Sequence, residues 1–282
     1  PLLLDPDVMV GTITTIGSPF NVAPSFEPDA ALLPMDLTGS DSIDFSTYVE
    51  LFSASDTVVY GGVTDFGLNG AFGLYRAISS AGGSAREDSP SVATLGDGAV
   101  LVVTWTSRTN TFPADLNVQA RVFTTVPNPS GSGVLSKFSP IVTVAGGAGG
   151  QQEARVMGTL DPADNSVRIV YRNGDDIELQ RMFVTDLGSS FAAAVLATPV
   201  VALTSTFADY EQPDIQELLD PPVGGVPGRF AIVYRSKLSF LPNASAGIAI
   251  YDANLNRVAG PTNAESLAED VTAPKVEGAR DS

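Results

Sequence analysis

The sequence predicts an all-β protein, a β-propeller of four-stranded blades with about 61 residues per blade. Three observations predict this fold: a phrase that recurs at a nearly constant spacing, four short strands within each period, and apolar residues that alternate with period two. An immunoglobulin-type sandwich needs about seven strands per roughly 100 residues, so a period of about 61 is too short for it.

The first strand of each period opens on a Pro, replaced once by Ala, and continues with alternating apolar residues. These anchor residues stand at positions 28, 90, 154, 213 and 274, which are 62, 64, 59 and 61 residues apart. The copies read EPDAALL, SPSVATL, EARVMGT, QPDIQEL and APKVEGA. A spacing this regular indicates one structural unit repeated along the chain.

Three more strands are predicted in each period. The second ends in an aromatic residue, in TVVYGG (Tyr60), LVVTWTS (Trp105), RIVYRN (Tyr171) and AIVYRS (Tyr234), and these aromatics are expected in the core between blades. The third reads AFGLYRA, VQARVFT, ELQRMFV and GIAIYDA, and the fourth reads SPFNVA, SPIVTVA, TPVVALT and GPTNAES. In the first period the segment MDLTGSDSIDFSTY is predicted as an insertion between strands one and two.

The two ends of the chain carry partial sets of strands. Residues 8–16 (VMVGTITTI) can form a third strand and residues 18–23 a fourth, whereas only a first strand follows position 274. Together they would complete a fifth blade and close the ring, which removes exposed sheet edges. We therefore expect one propeller domain over residues 1–282, with four complete blades and a fifth shared between the ends. Because the chain starts at Pro1, it is expected to be processed or to be a segment of a longer protein.

Composition limits the function classes. The net charge is −17, from 32 acidic and 15 basic residues, so nucleic acid and anionic membrane surfaces are poor partners. The chain has no Cys and no His, which excludes disulfides, thiolate nucleophiles, the usual zinc ligand sets and any His-based triad. The apolar run FAAAVLATPVVAL is too short to span a bilayer. This acidic, Lys-poor composition is typical of a secreted bacterial protein.

One stretch resembles a known repeat. The residues SPSVATLGDGAVLVVTW and the following VQARVF resemble a repeat of large secreted bacterial surface proteins, where it stands beside RTX-type calcium-binding or cadherin-like modules. The matching positions are Pro90, Val92, Leu95, Asp97, Gly98, Val103, Trp105, Arg121 and Phe123. The resemblance implies an extracellular or cell-surface location and a binding or structural role, and it brings no catalytic residues.

Acidic residues just before the anchors are the main candidate site. Each period has a carboxylate within four residues of its anchor: Glu27, Asp88, Glu153, Glu211 and Asp270. In a propeller the loops before the innermost strands ring one mouth of the central channel, so these side chains are expected to converge there. Carboxylate oxygens are the ligands that Ca²⁺ prefers, and Ca²⁺ is the cofactor we expect. Ordinary solvated loop acids are the competing interpretation.

A second candidate lies in the predicted insertion, where Asp36, Asp41 and Asp44 could bind a ligand or could simply be solvated. A pair of carboxylates at the channel mouth could also support glycoside hydrolysis. The sequence thus favours a non-catalytic extracellular structural or binding module whose partners are other protein subunits or glycans. A propeller glycoside hydrolase or lectin is the alternative, and a scaffold of a filament, capsid or surface layer is a third.

Overall fold

The computed structural model describes residues 25–33, 43–51, 57–65, 76–79, 85–95, 100–109, 115–127, 133–147, 150–159, 161, 163–195, 198–218, 228–238, 243–263 and 274–276. These residues form eighteen β-strands in four separate sheets, and no helix occurs among them. The prediction of an all-β protein is confirmed.

The strands follow one another along the chain within each sheet. Sheet I contains β1 (Ser25–Leu33), β2 (Ile43–Leu51), β3 (Thr57–Asp65) and β4 (Arg76–Ala77). Sheet II contains β5 (Ala85–Leu95), β6 (Val100–Thr109), β7 (Leu116–Pro127), β8 (Gly133–Ser136) and β9 (Val142–Ala145). Sheet III contains β10 (Gln151–Met157), β11 (Ser166–Asn173), β12 (Asp176–Asp186), β13 (Phe191–Val195) and β14 (Val200–Leu203). Sheet IV contains β15 (Ala208–Glu217), β16 (Phe230–Leu238), β17 (Ala244–Tyr251) and β18 (Arg257–Asn263).

Every sheet is an antiparallel meander whose first strand is an edge strand. Four of the five predicted first strands therefore lie in four different sheets, as the predicted repeat requires. Each first strand also contacts the first strand of the next sheet: β1 contacts β5, β5 contacts β10, and β10 contacts β15. The approach is close at one point, because a Cβ added to Gly158 would collide with the carbonyl oxygen of Thr94.

The predictions for the second and third strands of the first period are wrong. The segment 43–51, of which residues 43–48 are predicted as part of an insertion, is β2 and pairs with β1. TVVYGG, predicted as the second strand, belongs to the third strand β3, and the last two residues of AFGLYRA, predicted as the third strand, form the fourth strand β4. Ser79 confirms this equivalence, because its hydroxyl accepts a hydrogen bond from Val59 N at 3.0 Å, as the Ser139 hydroxyl does from Val122 N at 2.9 Å. IDFSTYVEL alternates apolar and polar residues as a strand does, and it is predicted as part of an insertion only because TVVYGG also fits the phrase of a second strand.

The fourth strand is divided in two of the sheets. In sheet II, β8 and β9 pair with different halves of β7, and in sheet III, β13 and β14 pair with different halves of β12. The predicted Pro lies at the division, as Pro140 before β9 and Pro199 before β14. In sheet IV the same place is a register irregularity of β18 at Gly260 and Pro261. Pro lacks the N–H group that a continuous ladder needs, which explains the break.

Three hydrophobic cores join the sheets in chain order. The core between sheets I and II contains Trp105 and Phe123, that between sheets II and III contains Tyr171, and that between sheets III and IV contains Tyr234 and Tyr251. Trp105, Tyr171 and Tyr234 are at most 2% exposed. The prediction that these aromatics pack between sheets is confirmed for these three residues, while the Tyr60 side chain lies outside the described part.

Candidate functional site

A β-bulge interrupts the first strand of every sheet at the anchor. The register between the first and second strands shifts between Phe26 and Asp29, between Asp88 and Ser91, between Gln152 and Arg155, and between Glu211 and Asp214. The two residues passed over in each case are the anchor and the residue before it. A bulge redirects side chains away from the regular alternation of the strand, so the pre-anchor carboxylates lie at a repeated irregularity and not in loops.

The residue before the anchor has a left-handed backbone in three sheets. Its φ angle is 52° at Ser89, 58° at Glu153 and 50° at Gln212. Non-glycine residues adopt this region at an energetic cost of about 1 to 3 kcal/mol, and they persist there only when the surroundings hold them. At Glu153 and Gln212, hydrogen bonds between neighbouring sheets supply that support.

These bonds link successive bulges. Glu153 N donates to the hydroxyl of Thr106 on β6 at 3.2 Å, and Gln212 N donates to the Glu153 carboxylate at 2.7 Å. Arg172 on β11 occupies the position equivalent to Thr106 on β6 and cannot accept a hydrogen bond. The Glu153 carboxylate therefore takes over the role of acceptor at the junction of sheets III and IV.

A charged network surrounds this second junction. The Arg172 guanidinium lies 3.9 Å from Glu153 and 3.6 Å from Glu211, and Arg235 donates a hydrogen bond to Glu211. The four side chains are between 14% and 28% exposed, so solvent reaches all of them. Two carboxylates and two guanidinium groups balance each other in charge, and we call these four residues the junction network.

The structure brings together two of the predicted metal ligands, Glu153 and Glu211, and pairs both with arginine. Asp88 lies at the bulge of sheet II, 3.9 Å from Arg86, and Glu27 lies at the bulge of β1. Asp44 lies in β2, opposite Leu32 and Thr64, so it is not in an insertion. Asp36, Asp41 and Asp270 lie outside the described residues. Within the described part of the chain, no three acidic side chains form a group that could hold a metal ion.

Sequence reasoning missed a buried carboxyl group at Glu87 on β5. Its side chain is 1% exposed, and it lies between sheets I and II beside Trp105 and Ser79. Burial raises the pKa of Glu87 to about 7, and the nearby polar groups of Ser79 and Trp105 only partly oppose that effect. Glu87 stands three residues before the anchor Pro90, so it is as close to the anchor as the other candidate acids. Only the structure shows that Glu87 is buried in β5, whereas the neighbouring Asp88 is accessible.

A second buried polar group joins sheets III and IV. Arg168 is 2% exposed and forms an ion pair with Asp164 at 2.7 Å, and Arg181 pairs with the same carboxylate at 3.1 Å. Arg168 also donates to the Ala253 carbonyl at 3.4 Å, in the hairpin of sheet IV. Burial alone would raise the pKa of Asp164, but the hydrogen bonds from Ser166 and Arg168 and the charge of Arg168 hold it below its usual value. This contact orients the two sheets.

Comparison of the sequence with protein-family models and with curated proteins finds no match. Among the residues that the structure describes, no helix has the length and apolar character needed to cross a membrane.

Proposed function

We propose that the four sheets are blades of a five-bladed β-propeller, and that this propeller is a non-catalytic structural or binding module of a bacterial surface or secreted assembly. The first strands of the blades would then surround a common axis, and their bulges would line one mouth of the central channel. Support comes from the contacts between consecutive first strands and from the hydrophobic core between each pair of sheets.

One observation carries the functional part of this proposal. At the predicted site the side chains of Glu153 and Glu211 are occupied by contacts that join sheets III and IV: Glu153 accepts a hydrogen bond from Gln212 N, and Glu211, which is bound to Arg235 of its own sheet, lies 3.6 Å from Arg172 of sheet III. A catalytic acid of a glycosidase must instead present its carboxyl group to the glycosidic oxygen. Groups used in this way stabilise an interface between repeats, which suits a rigid scaffold.

The extracellular, bacterial location is part of the same proposal. The absence of Cys, the count of three Lys among 282 residues and the net charge of −17 support it. Partners of this module would be other protein subunits or extracellular glycans, since the negative charge disfavours nucleic acid. The partly exposed junction network is where a polar partner would find both donors and acceptors.

Two assays on the intact chain test this proposal against a glycosidase or lectin. A panel of 4-nitrophenyl glycosides reports hydrolysis, and a microarray of bacterial and host glycans reports binding, each with the wild-type protein and with Glu153→Gln. We expect no release of nitrophenol. Turnover that Glu153→Gln abolishes would overturn the non-catalytic assignment. Glycan binding without turnover, lost in Arg172→Gln, would identify glycans as the partner.

A further inference from the structure

The outward face of sheet IV is uncovered among the described residues. Sheet III is buried on both sides: Val170 and Leu179, which pair with each other, are fully buried against sheet IV. The equivalent pair in sheet IV is Val233 and Ile248, and both are only half-buried. Their neighbours Ile232 and Ala249 face sheet III, so alternation along the strands directs Val233 and Ile248 outward.

The same chain begins to cover this face. Asp214, which pairs with Val233, accepts a hydrogen bond from Val276 N at 3.0 Å. An equivalent hydrogen bond joins sheets II and III, where the Ser91 hydroxyl accepts from Val156 N at 3.2 Å. Ser91 and Asp214 each follow an anchor by one residue, and Val156 and Val276 each follow the next anchor by two. Residues 274–276 thus occupy the place of a first strand of a further sheet.

We propose that residues 8–23 of this chain dock on the outward face of sheet IV, beside residues 274–276. The segment reads VMVGTITTIGSPFNVA and contains no charged residue, in a chain with 32 acidic and 15 basic residues. It offers β-branched residues for the apolar surface of Val233, Ile248 and Ile250. It also carries Ser18-Pro19, the dipeptide that in sheet II, as Ser139-Pro140, lies where the fourth strand divides. This inference deepens the proposed propeller.

Cysteine cross-linking in the full-length chain tests the proposal cleanly, because the chain has no native Cys. Each residue from 8 to 16 is replaced in turn by Cys and combined with Ile248→Cys, and disulfides are detected on non-reducing gels. We expect intrachain disulfides at alternate positions only, since successive side chains of a strand point to opposite faces. The control series uses Phe207→Cys, a 66% exposed position between sheets III and IV, and should give none.

Hydrogen exchange on the unmodified protein keeps the proposal testable if a variant fails to fold. Amides of residues 8–23 should exchange at least about tenfold more slowly than in a synthetic peptide of the same sequence. Exchange at the peptide rate would overturn the proposal. Interchain disulfides would overturn it too, in favour of a second copy. Neither result would alter the glycoside and glycan assays, so a failure here would remove the fifth blade from the proposed fold and leave the non-catalytic assignment standing.

Discussion

Adjacent residues on the second strands have different surroundings. Trp105, Tyr171 and Tyr234 are all buried and each packs toward the preceding sheet. The residues that follow them face the bulge of the first strand, and a hydroxyl in sheet II (Thr106) is replaced by a guanidinium group in sheets III and IV (Arg172 and Arg235). We call the first set the aromatic layer and the second set the bulge layer.

The two layers differ in what they contribute to the contacts between the sheets. The aromatic layer fills equivalent space between sheets, so only a large apolar ring suits it. The bulge layer is less constrained: the Thr106 hydroxyl accepts from a backbone donor at one junction, whereas at the next the Glu153 carboxylate of the first strand is the acceptor in place of Arg172. The bulge layer is therefore free to acquire partner-specific chemistry, whereas the aromatic layer sets the fold.

The largest expected effect is in the aromatic layer. Trp105→Ala should lower the free energy of unfolding by about 3 to 5 kcal/mol, because truncation of a buried aromatic leaves a cavity and loses contacts. Chemical denaturation measures it. The matched control is the neighbouring Thr106→Val, with an expected loss of about 1 kcal/mol. Equal losses for the two variants would contradict the division between the layers.

The second effect concerns Glu87, the buried acid beside Trp105. Its folded-state pKa of about 7 lies above its reference value of 4.5, so the folded protein binds a proton more tightly than the unfolded chain. The Glu87 contribution is therefore most favourable at low pH and is lost as the pH rises from about 4.5 through 7. Above that window the ionised group costs about 3 kcal/mol.

Glu87→Gln should remove this dependence. We expect the variant to be more stable than the wild type at pH 8 and to approach wild-type stability at pH 4.5, measured as the difference in unfolding free energy across the pH series. Asp186→Asn, at an exposed carboxylate paired with Lys137 at 3.1 Å, serves as the control. A difference for Glu87→Gln that is constant with pH would indicate that the folded protein does not shift this group.

The sequence predicts the repeat, its strands and the aromatic layer, because apolar alternation and spacing are local properties. It fails at β2 although Ile43, Phe45 and Val49 alternate as in a strand, because TVVYGG also fits the phrase of a second strand. It finds Glu153 and Glu211 but not their partners, since Arg172 and Arg235 belong to the second strands and only the register brings them to the bulges. The left-handed backbone before three of the anchors has no signal in the residue types Ser, Glu and Gln.

Salt should separate the two junctions of the bulge layer. Thr106→Val removes a neutral acceptor, and its loss of about 1 kcal/mol should be the same at low and high salt. Arg172→Gln removes a partly exposed ion pair, so its loss of up to about 1 kcal/mol should shrink in 1 M NaCl, where screening extends to about 3 Å. Unfolding free energies at both salt concentrations measure this. Identical salt dependence for both variants would mean that charge contributes nothing to the second junction.

The smallest effect is expected for Ca²⁺ on the wild-type protein, because Arg172 and Arg235 already neutralise Glu153 and Glu211. Removing both cations as Arg172→Gln with Arg235→Gln leaves two carboxylates to repel each other. Ca²⁺ should then stabilise the double variant by about 2.7 kcal/mol at a hundredfold excess over Kd, since it binds the folded state alone. Mg²⁺ should act less, because it demands a stricter octahedral geometry.

Melting curves in chelator, Ca²⁺ and Mg²⁺ measure these shifts, and adding Glu153→Gln and Glu211→Gln should remove them. If the wild-type protein responds to Ca²⁺ as strongly as the double variant, the ion displaces the arginines, and the predicted calcium site prevails over the junction network.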